Sequence, residues 1–568
     1  MGLKIAVPVI IAGVLLMFLG IGQRTFWAPA GTVTTSVPAG TKAAPLTIID
    51  AGVKSDNAQD VDITVTADGP FTLAVGRASD VDAWVADATH LRITGIGESG
   101  LETERIAGED TVPDPSGADL WTSEETAEGS VTHRWIDPAN GEWSILLAAD
   151  GTAPAPTNIT ITQINDVATP WAVPLIIAGA LALVLGTALL LTRPRGGGPA
   201  PNKREPAQVG TRAYLREQAA ASSKRGTRRR FQAHPATAVA GAFAVVAALL
   251  GGPLPASVAG TGTADNGAGA PPEDAPPIVL ESQLARILAA VETTVSAADA
   301  AADPKLFAPR ATGGAAALRT GGYAVRSIEG DIPAPAPVAG APVLTSMVPA
   351  GLDWPRTVVA VTKGEGNPVP QALVLIQQSP RENYKLDAAI QMLPGTTFPN
   401  SGTSGSNVLP LEEAGTLKVA PQSAVAAIAD FLTSPDGANA NTFEENSFAD
   451  AITKFQADVV ADPGNKAATI SFKHSAVAEN TRALATDDGG AMVFGYLAHT
   501  YSSVPKGERD SIDLKGTVYE ALTGESSTEA GIDVNYGEAV MMYVPPAGST
   551  EKIRVIGAAQ QLLSAKLR

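Results

Sequence analysis

The chain has 568 residues, enough for about two to four domains, and its 58 acidic against 40 basic side chains give a net charge of −18. Cysteine is absent, which excludes disulfides, thiolate catalysis, thiolate metal sites and a lipid-modified N-terminal cysteine. The acidic balance also disfavours nucleic acid as a partner, because phosphate repels acidic surfaces.

The chain begins with a membrane segment, residues 1–30. Its apolar run, Ile5 to Ile21, sits at the lower limit for a spanning helix. Two interpretations stay open: a retained anchor, or a signal peptide that is cleaved near Ala28-Pro29-Ala30. Both place the residues that follow outside the cell.

Residues 31–166 are predicted to form an extracytoplasmic antiparallel β-sandwich. Short β-rich runs alternate with turn sequences such as Asp68-Gly69-Pro70 and Asn140-Gly141. The tryptophans of this region are expected in its core. The predicted strands are Pro45–Val53, Val61–Ala67, Pro70–Val75, Leu91–Thr94, Ser130–Trp135, Trp143–Ala148 and Asn158–Ile164.

A second apolar run, residues 171–192, carries no charge and predicts a transmembrane helix. The segment that follows, residues 193–235, holds eleven Lys and Arg against two Glu, a net of +9 that leaves −27 for the rest of the chain. Basic residues beside a membrane span stay in the cytoplasm, so this segment predicts a cytoplasmic loop that contacts anionic lipid.

A third apolar run, residues 236–258, has two interpretations. It is either a helix that returns the chain to the outside or an internal signal-like segment, because Ala256-Ser257-Val258-Ala259 resembles a signal-peptidase site. Residues 259–278 are rich in Gly, Pro and Ala and predict a flexible linker. The overall prediction is a multi-pass protein of the cell membrane with large extracytoplasmic domains.

The C-terminal part predicts two α+β lobes, residues 279–415 and 416–568. In each lobe, predicted helices precede a series of predicted strands. The predicted helices are Ile278–Ala302, Pro421–Leu432, Glu444–Val460 and Ala558–Leu567. The predicted strands are Tyr323–Ile328, Val343–Val348, Arg356–Val361, Ala372–Gln377, Tyr384–Met392, Ala467–Lys473, Ala491–Ser502, Ser511–Leu522, Gly537–Tyr543 and Lys552–Ile556.

Two parts of the sequence resemble known protein families. Phe71 to Trp84 and Gly141 to Gly151 resemble a GxxxDVxx(Y/W) segment followed by GxWxxxxNADG in actinobacterial multi-span envelope membrane proteins of unknown function, with Ala148 here where Asn is commoner. The resemblance covers residues 31–192; it implies a β-rich envelope domain closed by a membrane helix, and no active site. The order of helices and strands in both C-terminal lobes resembles tandem NTF2-like cone folds, which serve many functions.

The sequence contains no recognised catalytic, cofactor or metal motif. Its five histidines lack metal-ligand spacing, and His133 and His474 are expected at exposed or rim positions. GxSxG and GxxxxGK[ST] are absent. In a cone fold, Tyr496, His499 and Tyr501 would border a ligand pocket, although packing is the alternative role for them.

These observations favour a non-enzymatic scaffold or accessory subunit for cell-envelope assembly or transport, with an envelope protein as partner. The alternative is an exported binding module that carries a lipid or glycan in a cone-like pocket. A hydrolase that uses Asp and Glu is a third hypothesis, and it requires two acids that converge in that pocket.

Overall fold

The computed structural model describes residues 2–28, 31–54, 61–164, 169–191, 276–399 and 406–568. The predicted basic loop, the third apolar run and almost all of the linker lie outside these residues. The chain divides into two compact units, Met1–Ala28 with Ala168–Ala270, and Pro29–Val167 with Pro271–Arg568.

The first unit contains two apolar helices, α1 (Gly2–Arg24) and α3 (Ala172–Leu191). Both are long and apolar enough to cross a membrane, with mean hydropathies of 2.6 and 2.5. The two helices pack antiparallel at small residues: a Cβ added at Gly13 would lie 2.9 Å from the Gly179 carbonyl oxygen, and one added at Gly186 would lie 2.5 Å from Ile10. Glycine lets the two backbones approach this closely.

In the second unit, residues 31–164 (the N-terminal half) form one continuous sheet. Its strand order is β1-β8-β3-β7-β2-β4-β5, with β6 paired to β3. The strands are β1 (Thr32–Ser36), β2 (Leu46–Ile49), β3 (Val61–Arg77), β4 (His90–Gly97), β5 (Gly100–Ile106), β6 (Ser123–Trp135), β7 (Trp143–Ala148) and β8 (Asn158–Ile164). The sheet carries an apolar cluster on each face, and Trp84, Trp121, Trp135 and Trp143 are fully buried, which confirms their predicted core role.

Two features depart from the predicted antiparallel arrangement. Strands β2 and β4 pair parallel, and a short helix, α2 (Ala78–Val85), stands between β3 and β4. The chain must cross over to reach a parallel neighbour, and α2 lies in that crossover. The run Asp80-Val81-Asp82-Ala83-Trp84 places buried Val81 and Trp84 three residues apart, which is helical spacing.

Residues 276–568 (the C-terminal half) begin with α4 (Glu281–Ala301), α5 (Pro304–Phe307) and α6 (Gly313–Arg326). An antiparallel four-stranded sheet follows, in the order β12-β11-β10-β9. Its strands are β9 (Val343–Met347), β10 (Arg356–Thr362), β11 (Gln371–Gln377) and β12 (Lys385–Gln391).

The second part of the C-terminal half repeats this order. Helices α7 (Pro421–Thr433) and α8 (Ser447–Ala461) precede an antiparallel sheet in the order β13-β15-β18-β19, with β14 paired to β15. The elements are β13 (Ala468–Ala476), β14 (Arg482–Ala485), β15 (Ala491–Pro505), β16 (Ile512–Asp513), α9 (Val518–Thr523), β17 (Ser527–Thr528), β18 (Ile532–Val544) and β19 (Arg554–Leu567).

The two C-terminal sheets share one apolar cluster. Val359 and Val374 of the first sheet pack there with Phe494 and Met541 of the second. The opposite face of the second sheet is covered by helices, because Val425 and Ile428 of α7 cluster with Leu497 and Val540. Both faces of β15 and β18 are therefore buried.

Three predicted elements of the C-terminal half are wrong. The sequence predicts a strand at Tyr323–Ile328, but most of this segment lies in α6, where Ala315, Leu318, Gly322 and Val325 are buried at helical spacing. The sequence predicts a helix at Ala558–Leu567, but this segment forms most of β19, because the thirteen-residue strand β18 offers it a pairing edge. Ser511–Leu522 contains short β16 and part of α9.

Candidate functional site

The candidate site is a cluster of three buried side chains on adjacent strands, His474, His499 and Glu538, hereafter the histidine–glutamate cluster. The register of the second C-terminal sheet sets His474 opposite His499 and Leu497 opposite Glu538. Side chains two residues apart on a strand share a face. All three therefore point to the helix-covered face of the sheet.

Glu538 is the centre of the cluster. Its Oε1 lies 3.0 Å from His499 Nδ1 and 3.4 Å from His474 Nε2, and Gln560 Nε2 donates a hydrogen bond to the same oxygen over 2.9 Å. The two imidazole rings stack with their centroids 3.9 Å apart, and Tyr536 stacks on His499 at 5.2 Å.

The cluster is removed from solvent and charged. The side chains of His474 and Glu538 are 0% exposed. Burial alone would raise the pKa of the Glu538 carboxyl, but the contacts with His474 and His499 outweigh burial and lower the pKa to about 2. A carboxylate at this position is thus ionised throughout the physiological range, and it can accept hydrogen bonds or bind a cation.

The predicted pocket residues do not all come together. His499 and Tyr501 lie on the helix-covered face of β15, where Phe455 of α8 contacts the Tyr501 ring. Tyr496 is on the opposite face and packs with Leu318 in the cluster shared by the two C-terminal sheets. The strand alternation separates Tyr496 from the other two residues by the thickness of the sheet.

The sequence interpretation missed His474 and Glu538 as members of a site. His474 was expected to be exposed or at a rim, yet it is buried. A signal was present in the alternation: Ile470 and Phe472 precede His474 at two-residue spacing on the apolar face of β13, so the histidine faces the interior. His133 is half-buried on β6, 3.7 Å from Glu125.

A second group of buried polar contacts joins the two halves of the second unit, hereafter the half-to-half interface. Asp80 of α2 and Arg356 of β10 form an ion pair of 2.6 Å, with both side chains 2% exposed. The Arg356 guanidinium also stacks on Trp354, 3.8 Å from the ring centroid. A charge pair this deeply buried requires both partners, because either one alone would be desolvated without compensation.

Asp119 is the second anchor of the half-to-half interface. Its carboxylate accepts two hydrogen bonds from the Arg310 guanidinium and one, of 2.8 Å, from the Tyr384 backbone N–H. Gln283 of α4 donates to the Leu120 carbonyl over 2.9 Å. Bidentate arginine–carboxylate pairs fix orientation as well as distance, so these contacts define how the halves dock.

The interface gives a structural role to the GxxxDVxxW segment. Asp80 supplies the buried carboxylate, and Trp84 lies at the C-terminal end of α2. Arg381 of the C-terminal half donates to the Trp84 and Val85 carbonyls, over 2.8 and 2.9 Å. These are carbonyls of the last helical turn, which a cation satisfies well.

Comparison with known proteins identifies a family for the C-terminal half and gives no match for the N-terminal half. No curated protein and no solved structure matches the chain. A family model matches residues 275–567, which include the whole histidine–glutamate cluster and the C-terminal side of the half-to-half interface. With more than half of its length matched, the chain belongs to the family described as Domain of unknown function (DUF8094).

Proposed function

We propose that this protein is a non-enzymatic scaffold or accessory subunit of the cell envelope, which serves envelope assembly or transport from a multi-pass membrane anchor. The observation that carries the proposal is the half-to-half interface, in which Asp80–Arg356 and Asp119–Arg310 are buried ion pairs. Such contacts join two separated stretches of chain into one compact unit, and a compact unit on an anchor is suited to hold partners in place.

Docking of the halves also supports the proposed topology. With α1 and α3 both crossing the membrane, the N-terminal half lies on one side of it, and the docked C-terminal half lies on that same side. The chain must then cross once more between residues 192 and 275. Residues 236–258 are apolar enough for this crossing, and residues 193–235 are then the cytoplasmic, lipid-contacting loop that basic residues favour.

The interior of the C-terminal half favours a scaffold over a carrier. In each of its parts helices precede a sheet, the order of the NTF2-like cone, and a carrier of that kind would keep a pocket between helices and sheet. In the second part, Phe472 stacks on Tyr501 at 5.2 Å and Phe455, which is 42% exposed, contacts both rings, so aromatic side chains occupy the space between helices and sheet there.

The test is fractionation of the native protein with a tag at its C-terminus, followed by photo-crosslinking in cells. A full-length band in the membrane fraction, with crosslinks from the C-terminal half to other envelope proteins, is the expected result. A band of about half the mass in the medium would contradict the anchored scaffold, as would full-length protein without crosslinked partners.

The second candidate function is capture of a lipid or glycan. A cavity of about 460 Å³ in the C-terminal half favours a glycan as the ligand. Its walls include Gln371, Gln391, Gln561 and the proline-rich segment 333–337. The Gln371 Oε1 is buried without a hydrogen-bond partner, and amides bind sugar hydroxyls. Soluble cell-wall disaccharides should then raise the melting temperature of the wild type and not of Gln371→Leu; no shift in the wild type argues against it.

A further inference from the structure

We propose that His474, His499 and Glu538 form a binding site for one divalent transition-metal ion of the zinc type. This inference is independent of the scaffold role. It rests on the geometry of the histidine–glutamate cluster, on unsatisfied polar atoms in it, and on the chemistry of its donors.

The spacing of the donor atoms suits a tetrahedral ion. One ligand atom from each of the three residues lies within 4.8 Å of the others. The Glu538 Oε1 distances to His499 Nδ1 and His474 Nε2, 3.0 and 3.4 Å, match the edge of a zinc tetrahedron, which is about 3.3 Å for bonds of roughly 2.0–2.1 Å. Three adjacent strands fix the backbone positions of the donors, so a side-chain rotation suffices to complete the site.

Several buried polar atoms of the cluster lack hydrogen-bond partners. These atoms are both ring nitrogens of His474, Nε2 of His499 and Oε2 of Glu538. A buried polar atom without a partner destabilises the folded state. A bound ion would give His474 Nε2, one of these atoms, a coordination bond, since imidazole nitrogens and carboxylate oxygens are natural ligands of such ions.

The donor set selects the metal. Two imidazoles and one carboxylate suit zinc and its first-row neighbours, whereas calcium and magnesium prefer oxygen donors alone. Three protein ligands leave a fourth position for water. Gln560, which is exposed on β19, donates a hydrogen bond to Glu538 Oε1 and would act as an outer-shell residue of the site.

One side chain must turn for the ion to bind. The imidazole planes lie at 20° to each other, so the nitrogen lone pairs do not converge on one point. His499 is held between His474 and Tyr536. We therefore expect His474 to rotate about its Cβ–Cγ bond while His499 and Glu538 stay in place.

The test is titration of chelator-treated, full-length protein in detergent micelles with Co²⁺, then with Zn²⁺. Tetrahedral Co²⁺ absorbs strongly in the visible, so we expect a band that saturates at one ion per chain and disappears as Zn²⁺ replaces Co²⁺. His474→Gln and Glu538→Gln should lose the band, and Gln560→Ala should weaken affinity about tenfold as an outer-shell change. His133→Gln, a histidine of the N-terminal half, should leave binding unchanged.

Absence of a stoichiometric band in the wild type would overturn the proposal, as would an unchanged band in both ligand variants. The melting temperature of each chelator-treated variant shows whether it folds. Where a variant does not fold, X-ray absorption of the zinc-loaded wild type decides: scattering from two imidazoles supports the site, and scattering without them overturns it.

Discussion

Asp80 and Arg356 bury opposite charges on the two halves of the second unit. Loss of one partner leaves the other desolvated, so Asp80→Asn and Arg356→Met should each lower the free energy of unfolding by about 3–5 kcal/mol. The double variant Asp80→Asn/Arg356→Met should lose less than the sum of the two. Tryptophan fluorescence during urea unfolding of the full-length protein measures these values, since Trp354 stacks on Arg356 and Trp84 lies one helical turn from Asp80.

Lys454 and Asp458 provide the matched control. They form an ion pair of 2.7 Å on α8 with side chains 74% and 65% exposed. Lys454→Gln should change the free energy of unfolding by no more than about 0.5 kcal/mol. Equal effects of Lys454→Gln and Arg356→Met would mean that burial of the Asp80–Arg356 pair does not set its strength.

Asp387 predicts a pH dependence of stability. Burial raises the pKa of its carboxyl, and the nearby Arg482 only partly offsets this effect. The folded state therefore holds the proton more tightly than the unfolded state. The resulting stability is fully present below the unfolded pKa of about 3.9 and is lost as pH rises through the higher folded pKa.

Asp387→Asn should remove that loss. We expect the melting temperature of the full-length wild type, relative to Asp387→Asn, to fall as pH increases across this window. Thermal unfolding of both proteins over a pH series is the measurement. A difference that stays constant with pH would show that the Arg482 contact balances burial, and one that grows in the opposite direction would show that this contact outweighs burial.

Helices and strands are predicted correctly from the sequence where their residue pattern suits the packing and pairing that they have in the folded protein. Trp143–Ala148 and Asn158–Ile164 are predicted to the residue, because β-rich runs end there at clear turns. The prediction for the segment at β19 is wrong. Its Ala, Gln and Leu residues favour a helix, and pairing with β18 overrides that preference. The histidine–glutamate cluster depends on such pairing, since Glu538 meets His499 only through the β15–β18 register.

The close packing of helices α1 and α3 can be tested by crosslinking. The chain has no native cysteine, so introduced pairs report proximity directly. A Cβ at Gly186 falls 2.5 Å from Ile10 Cγ1, and Ile10→Cys with Gly186→Cys in the full-length protein should form a disulfide on mild oxidation. To detect the disulfide, the full-length protein is cleaved between the two helices and run on a non-reducing gel. The two fragments migrate together only where the disulfide has formed.

The neighbouring pair Ile11→Cys with Leu185→Cys is the control. Both side chains are more than half exposed, at 54% and 57%, so we expect no disulfide between them. Equal crosslinking of the two pairs would mean that the helices do not hold the glycine-mediated packing. Crosslinking of the control pair alone would mean that a different pair of helix faces meets.

At the scale of the whole molecule, the half-to-half interface predicts what happens when the chain is cut between its halves. On the proposed membrane topology, a protease site inserted at residues 259–275 allows cleavage in isolated membranes. We expect the C-terminal half to stay in the membrane pellet after cleavage, and to stay there in moderate salt, because buried ion pairs are screened little.

Asp80→Arg sets a cation against Arg356 and should release the cleaved half, whereas Asp458→Arg, at an exposed position on α8, should not. Release of the wild-type half on cleavage alone would mean that covalent continuity, and not docking, keeps the two halves together.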